Sequence, residues 1–124
     1  MSRNQRPKPR LIIGRQGTGK TLRFYKILAD CYPKKIVIKS LISVKFANKA
    51  VLEKEYDILG VDEVATINDL FYLAKVSLTS TIKVVVAAQL VKDEIPKDLL
   101  SLFEVIDMDE ETEILKPATD ENNN

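Results

Sequence analysis

Eight consecutive residues, Gly14-Arg15-Gln16-Gly17-Thr18-Gly19-Lys20-Thr21, hold three of the four glycines in the chain. Glycine reaches backbone dihedrals that a Cβ forbids and lets another group approach the main chain closely. The run follows Leu11-Ile12-Ile13, a short unbroken apolar stretch of the kind buried on both faces of a sheet. After it, Phe24, Ile27, Leu28 and Cys31 fall at i, i+3, i+4 and i+7, the spacing of a helix with one buried stripe, which Pro33 then stops. Strand, glycine loop and helix in that order demand a fold whose strands are covered by helices.

The rest of the chain repeats the alternation. Lys35 to Lys39 reads as a second strand, about Ser43 to Glu55 as a helix, and Tyr56 to Val61 as a third strand ending at Asp62-Glu63. Thr66 with Asp69 three residues on resembles a capping box, and Ile67, Leu70, Phe71, Ala74 and Leu78 continue a helical stripe. Ile82 to Ala88 is a strand followed directly by Gln89; Pro96 suits the first turn of a short helix through Leu102, and Phe103 to Met108 reads as a fifth strand. The expected fold is therefore α/β, an about five-stranded parallel sheet with helices on both faces. Ligands of such sheets bind beyond the carboxyl ends of the strands. Gly14, Asp62, Glu63 and Gln89 all sit at those ends, so one edge should gather them.

Composition sets the outer limits. A chain of 124 residues, 45% hydrophobic and 30% charged, has room for one domain that folds without metals or disulfides. Histidine is absent and Cys31 is the sole cysteine, which removes Cys/His zinc sites, disulfide frameworks and a histidine general base. No apolar run reaches the roughly 20 residues that span a bilayer, and the N-terminus lacks the apolar stretch of a secretory signal, so a cytoplasmic setting is expected. The net charge of +1 hides opposite ends: residues 1–9 read as a basic flexible arm, 10–108 as the folded domain, and 109–124 as an acidic, largely disordered tail. Lys34, Lys35, Lys39, Lys45 and Lys49 cluster in the second strand–helix unit and offer a candidate DNA path or a solvated face.

The glycine loop carries the chemistry. Inward-pointing N–H groups cradle phosphates, and the following helix aims its positive end at the anion. Gly14, Gln16, Gly17, Thr18, Gly19, Lys20 and Thr21 are the candidate nucleotide-binding residues, with Lys20 reaching the β- and γ-phosphates and Thr21 giving a hydroxyl to Mg²⁺. Asp62, at the end of an apolar strand, is the second candidate for Mg²⁺. Glu63 would orient and deprotonate an attacking water, and the amide of Gln89 would contact the γ-phosphate or that water. Together these residues describe a P-loop NTPase that binds and hydrolyses Mg-ATP.

With these motifs in place, residues 10–108 resemble the additional-strand P-loop ATPases, in which one strand lies between the two that carry the nucleotide motifs. Gly14 to Thr21, Asp62-Glu63 and a glutamine ending the next strand resemble in particular the FtsK/HerA-type DNA-translocating ATPases, including viral packaging and Zot-like phage assembly proteins. The resemblance implies a ring-forming homo-oligomer or a viral assembly partner, DNA as cargo, and Lys20, Glu63 and Gln89 in catalysis. It also implies an arginine finger downstream of Gln89, yet Arg23 is the last arginine in the sequence. Lys83, Lys92 and Lys97 offer only point charges in its place. Two other readings stand beside this one. The segment from Asp57 to Ala88 also resembles thymidine kinase, with Glu63 activating a nucleoside hydroxyl, although that family's zinc cysteines have no counterpart. A non-catalytic ATP switch that regulates assembly would use the same loop.

Overall fold

The computed structural model describes residues 8–115. The strands are β1 (Arg10–Ile13), β2 (Ile36–Ile38), β3 (Ile58–Val64), β4 (Lys83–Ala88) and β5 (Glu104–Asp107). The helices are α1 (Lys20–Ala29), α2 (Leu41–Phe46), α3 (Lys49–Glu55), α4 (Ile67–Thr79), α5 (Lys97–Leu100) and α6 (Met108–Leu115), with a 3₁₀ turn at Lys92–Glu94. All neighbouring strands pair in parallel, in the order β2-β3-β4-β1-β5. The fold is thus α/β, a five-stranded parallel sheet covered by helices on both faces. β4 lies between β1, which leads into the glycine loop, and β3, which carries Asp62 and Glu63.

Alternation along each strand splits the core in two. Leu11, Ile13, Leu59, Val61, Val84, Val86 and Ala88 face Val44, Leu52, Leu70, Leu73 and Leu99 from α2, α3, α4 and α5. Ile12, Ile58, Val85 and Ala87 face the other way, against Phe24, Ile27 and Leu28 of α1, with Met108 of α6 packed beside them. Gly60 makes this second layer close. A Cβ on it would stand 2.8 Å from Leu28 Cδ1 and 3.0 Å from Phe24 Cζ, so α1 rests on bare β3 backbone.

Three expectations need correction. The single helix over Ser43 to Glu55 is two helices, because the Asn48 side chain accepts from the N–H groups of Ala50 and Val51 and starts α3 afresh. Ser40 likewise caps α2 by accepting from Ser43 N–H, earlier than the apolar pattern indicated. The acidic stretch from 109 is not disordered where it is described: Met108–Leu115 is α6, and its first-turn acids Asp109, Glu110 and Glu111 suit the positive end of a helix. At the other end Pro9 is buried, and its carbonyl accepts from Glu104 N–H, so the domain reaches back into the expected arm. Residues 1–7 of that arm and 116–124 of the tail lie outside the described residues. The other expected elements form, within a few residues of their predicted limits. No helix among the described residues is long and apolar enough to cross a membrane.

Candidate functional site

Gly14 leaves β1 at φ 142, and Gly17 and Gly19 follow at φ 84 and 88, conformations that a side chain resists. The start of the loop is tied twice. Gly14 N–H donates to Leu90 O just beyond β4, and Arg15 N–H donates to Asp109 Oδ1 of α6, at 3.0 and 3.1 Å. The Arg15 carbonyl accepts from Thr18 Oγ1 and from Lys20 Nζ, each at 2.7 Å. Gly19 caps α1 with no side-chain acceptor and the first turn holds no acid, which leaves the positive helix end open to an anion.

Seven of the eight loop residues, all but Thr18, line a cleft of about 670 Å³ at the carboxyl edge of the sheet. Asp62, Glu63 and Gln89 line it as well, together with Leu22, Ala87, Ala88, Leu90, Val91 and Glu94. The sheet thus gathers Gly14, Asp62, Glu63 and Gln89 at one edge, as the strand-end argument expected, and Lys20 and Thr21 line the same cleft. Thr18 differs: its hydroxyl turns onto Arg15 and serves the loop's own shape.

Thr21 Oγ1 donates to Asp62 Oδ2 at 3.3 Å, bridging α1 and β3. The described residues hold no group of three or more acidic, Cys or His side chains that could bind a metal by themselves. A hydroxyl beside a lone carboxylate fits a Mg²⁺ that takes its remaining oxygens from phosphate and water, which is how this ion is commonly held next to a nucleotide.

Glu63 sits on a bulge. β3 pairs Val61 with Val86 but Val64 with Ala88, so two residues of β3 stand opposite one of β4. Glu63 takes φ 61, left-handed and costly for a residue with a Cβ, and its N–H donates to Asp62 Oδ1 at 2.7 Å. The bulge breaks the two-residue alternation, which lets Asp62 and Glu63 both reach the cleft where a regular strand would turn one away. Gln89 N–H closes the same corner by donating to Val64 O at 2.7 Å, and the residue is exposed.

Two of the three lysines named in place of an arginine finger have defined settings. Lys83 begins β4, at the opposite edge of the sheet from the cleft, and Lys92 Nζ lies 3.5 Å from Glu110 Oε2. Lys45 pairs with Asp69 at 3.2 Å, and both Lys45 and Lys49 lie over the Tyr72 ring, so two of the five clustered lysines serve α4. Sequence reasoning missed Asp109. The signal available was the strand pattern itself: an acid two residues past the fifth strand lies close to Gly14 if that strand pairs with the first, as β5 does.

No protein-family model and no curated protein sequence matches the chain. Among solved structures, a chain from two coordinating Pif1 helicases studied for DNA unwinding at forked dsDNA is similar at 12% identity and a TM-score of 0.46. The match covers 85% of this chain and 40% of the helicase chain, so the chain described here spans less than half of that protein's length.

Proposed function

We propose that this protein is an ATPase that binds and hydrolyses Mg-ATP in the cleft between the glycine loop and the ends of β3 and β4. The observation that carries the reading is the convergence of Lys20, the Thr21–Asp62 pair, Glu63 and Gln89 on one cleft at the open end of α1. The loop N–H groups and Lys20 would hold the phosphates. Mg²⁺ beside Thr21 and Asp62 would supply neutralisation of charge on the β- and γ-oxygens. Glu63 is the acid that can take a proton from water, and the Gln89 amide would orient that water or read the γ-phosphate. Work on DNA, in packaging, translocation or phage assembly, is the finer reading, and it rests on the sequence resemblance.

Mg-ATP titration and phosphate release, measured with and without single- and double-stranded DNA, test both levels. Lys20→Ala should abolish binding; unchanged ATP affinity in that variant would sink the assignment of the loop. Stimulation by DNA would support the motor. Phosphoryl transfer to a nucleoside would support the kinase instead, and tight binding without turnover a switch.

A further inference from the structure

The backbone of Arg15 is held at both its N–H and its carbonyl, and the two holds differ in origin. Its carbonyl takes Lys20 Nζ and Thr18 Oγ1 from within the loop. Its N–H goes to Asp109, 94 residues away. We infer that Asp109 is a positioning residue for the candidate nucleotide site: its carboxylate holds the Arg15 N–H, and the carbonyl of the same residue, in the next peptide unit, sets the place of the Lys20 ammonium. The inference rests on the reading of the loop as a nucleotide cradle.

Several contacts fix Asp109 itself. Its own N–H donates to Asp107 Oδ1 at 3.0 Å, where β5 ends and α6 begins. Glu111 of α6 pairs with Arg23 of α1, whereas the Glu110–Lys92 pair, at 3.5 Å with both side chains more than half exposed, adds little. Met108 closes over the loop, its Cβ 3.0 Å from where a Gly14 Cβ would stand and its Cε 3.9 Å from the corresponding point at Gly19. The helix is therefore tied to the loop and to α1, and among its described side chains Asp109 accepts from the loop backbone.

An acid beside a triphosphate site has two opposed effects. Its charge repels the ligand, weakened here by the Arg15 guanidinium with Nε 3.8 Å from Asp109 Oδ2. Its oxygen holds a loop that would otherwise lose ordering free energy on binding. Asparagine keeps the oxygen and drops the charge, whereas alanine drops both. If positioning dominates, Asp109→Ala weakens Mg-ATP binding about five- to tenfold, the scale of a lost charge-assisted hydrogen bond at a partly solvated position. Asp109→Asn binds as tightly as the parent chain or more tightly. Glu110→Ala, on the same helix turn but without a loop contact, stays within about twofold of the parent for want of that hydrogen bond.

The experiment is calorimetric titration of the full chain and these variants with Mg-ATP, beside amide hydrogen exchange of the nucleotide-free proteins. The Arg15 amide should exchange faster in Asp109→Ala and remain protected in Asp109→Asn. Unweakened binding by Asp109→Ala, equal weakening by Asp109→Asn, or unchanged Arg15 exchange in the alanine variant would each overturn the positioning role and leave the nucleotide reading intact. A parent chain that binds no nucleotide would overturn both. Exchange needs no nucleotide, so the two failures are distinguishable.

Discussion

Thr21 Oγ1 stands 3.3 Å from Asp62 Oδ2, so the first turn of α1 and the end of β3 meet at a hydroxyl–carboxylate pair inside the cleft. Helix and strand are 41 residues apart in sequence at this point. A divalent cation placed there would satisfy both oxygens and bind the two elements through the nucleotide.

The pair predicts a dependence on metal with a definite sign. Without Mg²⁺, Asp62 would face a bound phosphate as a bare like charge, so Asp62→Ala should bind metal-free ATP as well as the parent chain or better. With Mg²⁺ the order reverses, and turnover of the variant should fall at least about 100-fold, since the ion's charge stabilisation is lost. Titration and phosphate release in EDTA and in excess Mg²⁺ measure both. Tighter binding of Mg-ATP than of free ATP by Asp62→Ala would place the metal elsewhere.

Glu63 predicts a trade between stability and turnover. Its φ of 61 is a conformation that asparagine tolerates better than glutamate. Glu63→Asn should therefore raise stability by about 0.5–1 kcal/mol, a fraction of the usual cost of a left-handed residue. Both Glu63→Asn and Glu63→Gln should keep nucleotide binding while turnover drops at least about tenfold, as for loss of a general base. Chemical denaturation checks the first statement and single-turnover kinetics the second.

Gln89 offers a narrower expectation. Its backbone N–H holds Val64 and the bulge, a contact that any residue but proline preserves. Gln89→Ala should accordingly leave stability within about 0.5 kcal/mol, as for exposed substitutions, and ATP affinity nearly unchanged. Turnover alone should fall, and a parallel loss of affinity and stability would assign the side chain to the bulge rather than to the reaction.

Much of this arrangement was legible because it rests on local signals. The glycine loop, the apolar strands and the acids or amide at their ends each declare themselves within a few residues, and parallel topology then gathers Gly14, Asp62, Glu63 and Gln89. What escaped depends on competition between distant groups. The break between α2 and α3 turns on the side chain of Asn48 claiming two N–H groups, which apolar spacing does not encode. α6 begins where the sequence reads as an acidic, largely disordered tail, because its charges find their partners, Arg15, Arg23 and Lys92, only after β5 has paired with β1. The bulge at Glu63 is likewise invisible in an apolar strand that simply ends in two acids.

Gly60 gives the last prediction, and it joins packing to the site. α1 lies on β3 so closely that a Cβ at residue 60 would stand 2.8 Å from Leu28 Cδ1, in a layer where Leu28 is 3% exposed and Phe24 wholly buried. The Leu28 side chain has little room to turn away, so Gly60→Ala should destabilise the fold by about 1–3 kcal/mol, the usual cost of overpacking. The strain should lift α1 from the sheet and with it the loop at its N-terminus, weakening nucleotide binding although Gly60 does not line the cleft. Leu28→Ala alone leaves a cavity and costs roughly 2–5 kcal/mol. In the double variant the new methyl enters that cavity, so the two losses should fall short of their sum by about 0.5–3 kcal/mol, the range found for residues in contact. Urea unfolding of the four proteins measures the coupling; strict additivity would mean that α1 does not rest on Gly60.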